Sequence, residues 1–126
     1  MIHLKGNLVN GTMKLKDVAG LIDGSVLTGI ENLDKQVDKA FASDLMSDVL
    51  TVKTDNLLLL TGLVNIQAIR TAEISDICCV VFVRNKQVSE EMMRIARESR
   101  ITIIQSPYSM FKASGILYKA GLNPVF

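Results

Sequence analysis

Three nearly uninterrupted apolar runs dominate the second half of the chain. They are "LLLL" at 57–60, "ICCVVFV" at 77–83 and "ITIIQ" at 101–105. Apolar runs of this length, rich in Val, Ile and Leu, are typical of strands buried on both faces. The segments 65–75, 89–100 and 106–121, which follow these runs, have the spacing of amphipathic helices. Strand and helix therefore alternate three times, which predicts an α/β fold with a mostly parallel sheet, right-handed crossovers and helices on both faces.

Capping residues predict where two of these helices begin and end. Ser89 is expected to be the N-cap of the middle helix, because two glutamates follow it near the positive end of the helix dipole. For the last helix we expect Ser106 at the N-cap, Pro107 in the first turn and Gly121 just past the end.

The pattern in the first half of the chain is weaker. "MKLKDVAGLI", which starts at Met13, has apolar residues on one side of a helix, and "GSVLTG" and "QVDKAFA" each predict a short strand. The first dozen residues have no period. We therefore expect one domain over 13–126, and residues 1–12 to be either an upstream extension that is not native or a short native arm.

Composition favours a soluble globule with an aliphatic core. The chain has 126 residues, of which 48% are hydrophobic and only 5% aromatic. A formal net charge of +1 gives no electrostatic case for binding nucleic acid or an anionic membrane, and the apolar runs are far shorter than the ~20 residues that span a bilayer. Cys78 and Cys79 would point to opposite faces of a strand, a poor arrangement for a disulfide. Unpaired thiols predict a cytoplasmic protein.

The usual signatures of cofactor and metal chemistry are missing from the sequence. His3 is the single histidine, and the two adjacent cysteines do not have the ligand spacing of a zinc site. Neither phosphate-binding glycine motif occurs, and there is no nucleophile elbow. We therefore predict no metal site and no cofactor.

The stretch "SDLMSDVL" offers the strongest case for an enzyme. On a helix, Asp44 and Asp48 would share a face, as a carboxylate pair in acid–base catalysis requires. A structural interpretation explains more of the stretch: Ser43 as N-cap, Asp44 in the first turn, and Leu45 with Val49 as the buried stripe. We favour the structural interpretation, and a small enzyme that uses the two carboxylates remains the alternative.

A ligand is expected at the carboxyl ends of the strands, where helix N-termini with free N–H groups converge. The turns "TGLVN", "VRNKQVS" and "QSPYS" should meet there. Their candidate ligand-binding residues are Thr61, Gly62, Asn65, Arg84, Ser106 and Tyr108. An anionic ligand, such as a nucleotide or a phosphorylated metabolite, would suit this edge. The simpler interpretation of Asn65 and Ser106 is that each only caps a helix.

From Met13 to its end the chain resembles the DRTGG domain family. The matching parts are Asp34, "SDLMSDVL", "TGLVN" with Asn65, and "SPYSMFKASGILY". The stretch that names the family is degenerate: members carry an Asp-Arg start and a Thr-Gly-Gly, whereas this chain has Asp34-Lys35 and then "DKA" at 38–40. A role that depends on those glycines is therefore not implied for this chain.

The resemblance implies a fold like that of the N-terminal domain of HPr kinase/phosphorylase, in three layers. It also implies a non-catalytic module, because DRTGG domains occur as regulatory or dimerising parts of larger proteins and as small stand-alone proteins, and this chain lacks a kinase domain. The expected function is a regulatory or ligand-sensing module; a purely structural dimerisation or adaptor domain is a further alternative.

Hydropathy predicts a homodimer. A mean hydropathy of +0.30 is high for a small soluble domain, which cannot bury all of its apolar surface in one core. The expected contributors to the interface are "SVLTG" and "AFASDLM".

Overall fold

The computed structural model describes residues 8–9 and 11–126. In chain order the described strands are β1 Leu8–Val9, β2 Thr12–Lys14, β3 Ser25–Thr28, β4 Gln36–Val37, β5 Lys39–Ala42, β6 Leu57–Thr61, β7 Cys79–Phe82, β8 Thr102–Gln105 and β9 Asn123–Pro124. The described helices are α1 Leu15–Leu21, α2 Met46–Val49, α3 Ile66–Ile74, α4 Glu90–Glu98 and α5 Met110–Ala120, and a 3-10 turn lies at Ile30–Asn32.

A six-stranded sheet in the order β3-β8-β7-β6-β5-β9 forms the centre of the molecule. The four strands β5 to β8 are parallel, β9 is parallel to β5, and only β3 runs antiparallel, next to β8. The predicted α/β class with a mostly parallel sheet and helices on both faces is confirmed. The three apolar runs form the strands β6, β7 and β8. Their residues are mostly apolar because both faces of these strands are buried.

Alternation along the strands divides the apolar residues between two cores. Leu57, Leu59, Val80 and Phe82 pack with α2, α3 and α4 on one face. Their neighbours along the strands, such as Leu58 and Val81, pack with α1 and α5 on the other. Successive side chains of a strand point to opposite faces, so both cores are built from the same three strands.

A small antiparallel sheet, β1-β2-β4, accounts for two departures from the sequence prediction. Met13 lies in β2 and not at the start of a helix, which begins at Leu15. The predicted strand "QVDKAFA" is two strands in different sheets, separated at Asp38, whose N–H donates to the Asn56 carbonyl at 3.0 Å. Leu8 pairs with Met13. The domain boundary at residue 13 and the origin of residues 1–12 stay predictions, and most of that segment lies outside the described residues.

Helix ends agree with the prediction at α4 and at the end of α5, and differ at the start of α5. Ser89 caps α4, where its hydroxyl accepts from Met92 N at 3.1 Å. Gly121 follows α5 at φ +116°, in the left-handed region that favours glycine. The predicted N-cap at Ser106 is wrong: Ser109 caps α5, and the buried Ser106 hydroxyl donates to the Ile22 carbonyl at 2.7 Å.

Candidate functional site

The carboxyl ends of β5 to β8 lie at one edge of the sheet, because these strands are parallel neighbours. The turn after β6, the loop after β7 and the turn after β8 therefore lie side by side at this edge, as the sequence predicts. We call this the carboxyl edge.

Asp44 binds the end of β6. Its Oδ1 accepts hydrogen bonds from Gly62 N at 2.6 Å and from Thr61 Oγ1 at 3.0 Å. The fully buried Thr61 hydroxyl also accepts from Leu63 N at 3.1 Å. Thr61 and Gly62, predicted to meet a ligand, thus contact a carboxylate of the chain itself. Sequence reasoning weighed Asp44 only as a helix residue and missed this position.

The helix expected at Ser43 does not form there. The α2 helix begins at Met46, its N-cap residue has no side-chain cap, and the Ser43 hydroxyl accepts from Leu45 N at 3.1 Å. Leu45, predicted to be buried, is 58% exposed, while Met46 and Val49 are buried. Asp44 precedes the helix, so the shared helix face with Asp48 that a carboxylate pair would need is not formed.

Lys86, in the loop after β7, was not among the predicted residues. Its Nζ donates to the Gly62 carbonyl at 2.7 Å, and its own carbonyl accepts from Gln105 Nε2 at 2.6 Å. A Cβ placed on Gly62 would lie 3.4 Å from both Asp44 Oδ2 and Lys86 Nζ. Gly62 therefore lies between a carboxylate and an ammonium group. The sequence of the loop does not reveal the contact of Lys86 with Gly62, because the two residues are 24 positions apart.

Arg84 is held in place by its backbone, while its side chain is exposed. Arg84 and Asn85 have φ values of +64° and +54°, in the left-handed region that is costly for residues other than glycine. Arg84 N donates to the Tyr108 carbonyl and Asn85 N to the Ser106 carbonyl, each at 2.8 Å. These two bonds join the loop after β7 to the turn after β8.

The remaining predicted residues have structural contacts. Asn65 caps α3, where its Oδ1 accepts from Ala68 N at 3.1 Å. Ser106 Oγ is occupied by the Ile22 carbonyl and by Tyr108 N. The Tyr108 ring lies under Lys112, whose Nζ is 3.9 Å from the ring centroid. Asn65 thus caps a helix, which is the simpler interpretation of this residue. Ser106 instead forms a buried hydrogen bond to the Ile22 carbonyl. Ligand binding by either residue stays a prediction.

The thiols lie away from the carboxyl edge, at the start of β7. Both cysteines are free, and burial raises the pKa of the Cys78 thiol and raises that of Cys79 well above its ordinary value. Cys78 precedes the first residue of β7, so strand alternation does not separate it from Cys79, and both contact the core beneath α1 and α5. Raised pKa values keep both thiols protonated at neutral pH.

Two further observations concern the part of the chain that the structure describes. No group of three or more His, Cys, Asp or Glu side chains in residues 8–9 and 11–126 is arranged to hold a metal ion. Among the same residues no helix has the length and apolar character needed to cross a membrane.

No family model matches the sequence, and no curated protein matches it. Among solved structures, the chain is similar to the crystal structure of the CBS and DRTGG domains of the regulatory region of Clostridium perfringens pyrophosphatase, complexed with its activator diadenosine tetraphosphate. The TM-score is 0.70 at 11% sequence identity, and the match covers 94% of this chain and 49% of that one. The chain therefore spans about half the length of that structure. At this identity the likeness shows the fold, which is DRTGG-like.

Proposed function

We propose that this chain is a non-catalytic regulatory module that binds a small anionic ligand, a nucleotide or a phosphorylated metabolite, at the carboxyl edge. The observation that carries the proposal is the presence there of three cationic side chains. Arg84 and Lys86 lie on the loop after β7, and Lys112 lies in the first turn of α5, which follows the turn that is joined to this loop by backbone hydrogen bonds. The similar structure is a regulatory region bound to a nucleotide activator, which supports a nucleotide as the ligand.

The start of α5 adds to the positive potential of this edge. Helix α5 has 11 residues, and its first N–H groups lie next to the turn that carries Tyr108. A helix N-terminus favours an anion, because its N–H groups are unpaired and the helix dipole is positive there. Lys112 lies in the first turn of the same helix, above the Tyr108 ring. A phosphate between Arg84 and Lys112 would meet two cations and the N–H groups of Met110 and Phe111, because Ser109 already caps the N–H of Lys112.

Membership of the DRTGG family is part of the proposal. The resemblance of the sequence and the DRTGG-like fold both support it, and both support a regulatory role. The two free thiols support a cytoplasmic location. The position of Asp44 supports the non-catalytic reading over the enzyme alternative. Its Oδ1 is occupied by two donors, and Asp48 lies on a separate element.

We also propose that the module is a homodimer, with its interface at the edge of the sheet formed by β5 and β9. Two aromatic side chains are exposed beside this edge, Tyr118 by 68% and Phe126 by 88%. Phe111, about two helical turns before Tyr118 on α5, is 91% exposed. A small apolar pocket of about 110 Å³ opens next to Tyr118, between α5 and β5. Of the two segments expected at an interface, "AFASDLM" borders this edge and "SVLTG" lies in β3, at the opposite edge.

Oligomeric state tests the dimer. Light scattering should give a dimer at micromolar concentration, and the double variant Phe111→Glu, Tyr118→Glu should be a monomer, because charge on the exposed stripe of α5 opposes apolar contact. The control is Ile74→Glu on α3, where the side chain is 72% exposed and away from this edge. A monomeric wild-type protein would refute the dimer.

Ligand binding tests the main proposal. Mass spectrometry should identify an anionic metabolite retained by the purified protein. Calorimetry should then show that Arg84→Ala and Tyr108→Ala each weaken the binding of this metabolite. The Arg84→Ala variant should bind it roughly tenfold more weakly, because a charged contact is lost. Arg100→Ala is a matched control, since Arg100 is also an exposed arginine in the left-handed region, at φ +58°. Full affinity in both variants would place the site elsewhere. A dimer that retains no metabolite would favour the structural adaptor.

A further inference from the structure

The space above Gly62 has a charged group of each sign beside it. Asp44 Oδ2 and Lys86 Nζ each lie 3.4 Å from the position that a Cβ of Gly62 would occupy. The two groups do not form a direct ion pair with each other, nor with any other described side chain. A glycine at this position leaves open the gap that any other side chain would fill.

Both charged groups are held by contacts that leave part of their hydrogen-bonding capacity unused. Asp44 is fixed through Oδ1, which accepts from Gly62 N and Thr61 Oγ1, and its Oδ2 has no hydrogen-bond donor among the described residues. Lys86 is fixed by one bond from Nζ to the Gly62 carbonyl, and an ammonium group has three N–H donors. The gap therefore offers a carboxylate acceptor and ammonium donors in fixed positions.

The chemistry of this gap selects a hydroxyl group. A hydroxyl donates one hydrogen bond and accepts others, so it can donate to Asp44 Oδ2 while it accepts from Lys86 Nζ. A phosphate oxygen only accepts, and the Asp44 carboxylate would repel it. Phosphate is therefore expected at Arg84 and Lys112 and not over Gly62. Because Asp44 and Lys86 are already positioned, a hydroxyl would bind without the cost of ordering them.

We propose that the gap over Gly62, between Asp44 and Lys86, binds the sugar hydroxyls of a nucleotide or of a similar phosphorylated sugar. This inference rests on the proposed function, because it assigns a second part of the same ligand to the same edge. It predicts that the module distinguishes a nucleotide that carries ribose hydroxyls from one that lacks them.

The test compares adenosine 5′-monophosphate with 2′,3′-dideoxyadenosine 5′-monophosphate by calorimetry on the full chain. The wild-type protein should bind the first roughly tenfold more tightly or better, as expected for hydrogen bonds to charged groups. Asp44→Asn should bring the affinity for the hydroxylated nucleotide close to that for the dideoxy form, whose own affinity should not fall. Asp48→Asn, the same change four residues away on an exposed position, is the matched control and should alter neither affinity.

Gly62→Ala gives an independent test that does not remove a charge. Its methyl group would stand in the gap at 3.4 Å from both charged groups, which is an ordinary contact distance, so the fold should persist. Discrimination between the two nucleotides should be lost in this variant as well.

The outcomes separate this inference from the proposed function. If wild-type protein binds both nucleotides equally and Arg84→Ala weakens both, the hydroxyl site is wrong and the proposed function stands. If neither nucleotide nor inorganic phosphate binds, the proposed nucleotide ligand is wrong, and the hydroxyl site fails with it.

Discussion

Helices α2 and α4 follow similar sequences, a serine and then an acidic residue, and yet only α4 is capped by its serine. Ser89 Oγ accepts from the N–H three residues on, in the first turn of a nine-residue helix. Ser43 Oγ accepts from the N–H two residues on, in a turn, and α2 has only four residues. The acidic residues differ as well, because Glu90 begins α4 whereas Asp44 binds the end of β6.

The difference shows that a capping sequence competes with long-range contacts. After Ser89 the apolar residues Met92, Ile95 and Ala96 recur at helical spacing and are buried, so packing supports the local signal. After Ser43, Leu45 is exposed, and the Asp44 carboxylate instead meets a backbone N–H and a buried hydroxyl. A charged hydrogen bond of this kind is stronger than a neutral cap, which explains why α2 does not begin before Met46.

The largest expected effect is a contrast in burial at the start of α2. Met46→Ala should lower the free energy of unfolding by roughly 2–4 kcal/mol, because it leaves a cavity beneath α2. Leu45→Ala should change it by less than about 0.5 kcal/mol, because that side chain is 58% exposed. Urea titration of both variants measures the contrast. Equal losses would mean that Leu45 is buried after all, as a helix from Ser43 would require.

Asp44→Ala should have the next largest effect on stability. It removes the acceptor of Gly62 N and of the buried Thr61 hydroxyl. We expect the free energy of unfolding to fall by about 1–2 kcal/mol. This is less than the full value of charged hydrogen bonds, because Asp44 is exposed. The counterpart on α4, Glu90→Ala, should cost only about 0.3–1 kcal/mol through the helix dipole. Urea titration would contradict the contrast if Glu90→Ala were the costlier of the two.

The two serines provide a smaller contrast. Ser89→Ala should lower the free energy of unfolding by ~1 kcal/mol, because it removes an N-cap. Ser43→Ala should cost only a few tenths of a kcal/mol, because its bond to Leu45 N is exposed and does not cap a helix. Thermal unfolding of the pair under the same conditions decides the point. A loss at Ser43 that matches the loss at Ser89 would restore the capping interpretation.

Much of the fold could be predicted, because its central strands are buried on both faces and so leave an unmistakable apolar signal. The runs that contain Leu58, Val81 and Ile103 identify β6, β7 and β8, and Ser89 identifies the start of α4. The small sheet β1-β2-β4 could not be predicted, since its strands of two or three residues are too short to show a period.

The site was predicted less completely, because its decisive contacts join residues distant in sequence. The carboxyl edge and its three turns followed from the alternation of strand and helix, which predicts parallel strands. The roles of Asp44 and Lys86 did not, since they reach Gly62 across 18 and 24 residues. Ser106 shows the same limit: its local sequence is that of a cap, but its hydroxyl binds a carbonyl 84 residues away.

The smallest expected effect is that of Asp48→Ala. Asp48 lies on α2 and is exposed, and its carboxylate has no hydrogen bond or ion pair among the described residues. Its backbone carbonyl accepts from Thr51 Oγ1 at 2.6 Å, a contact that alanine would keep. The free energy of unfolding should therefore change by less than about 0.5 kcal/mol, measured by urea titration beside Asp44→Ala. If the two aspartates are equivalent members of one carboxylate pair, the two variants should instead lose stability alike. A large loss at Asp48 with little at Asp44 would show that the carboxylate anchored to β6 has been misassigned.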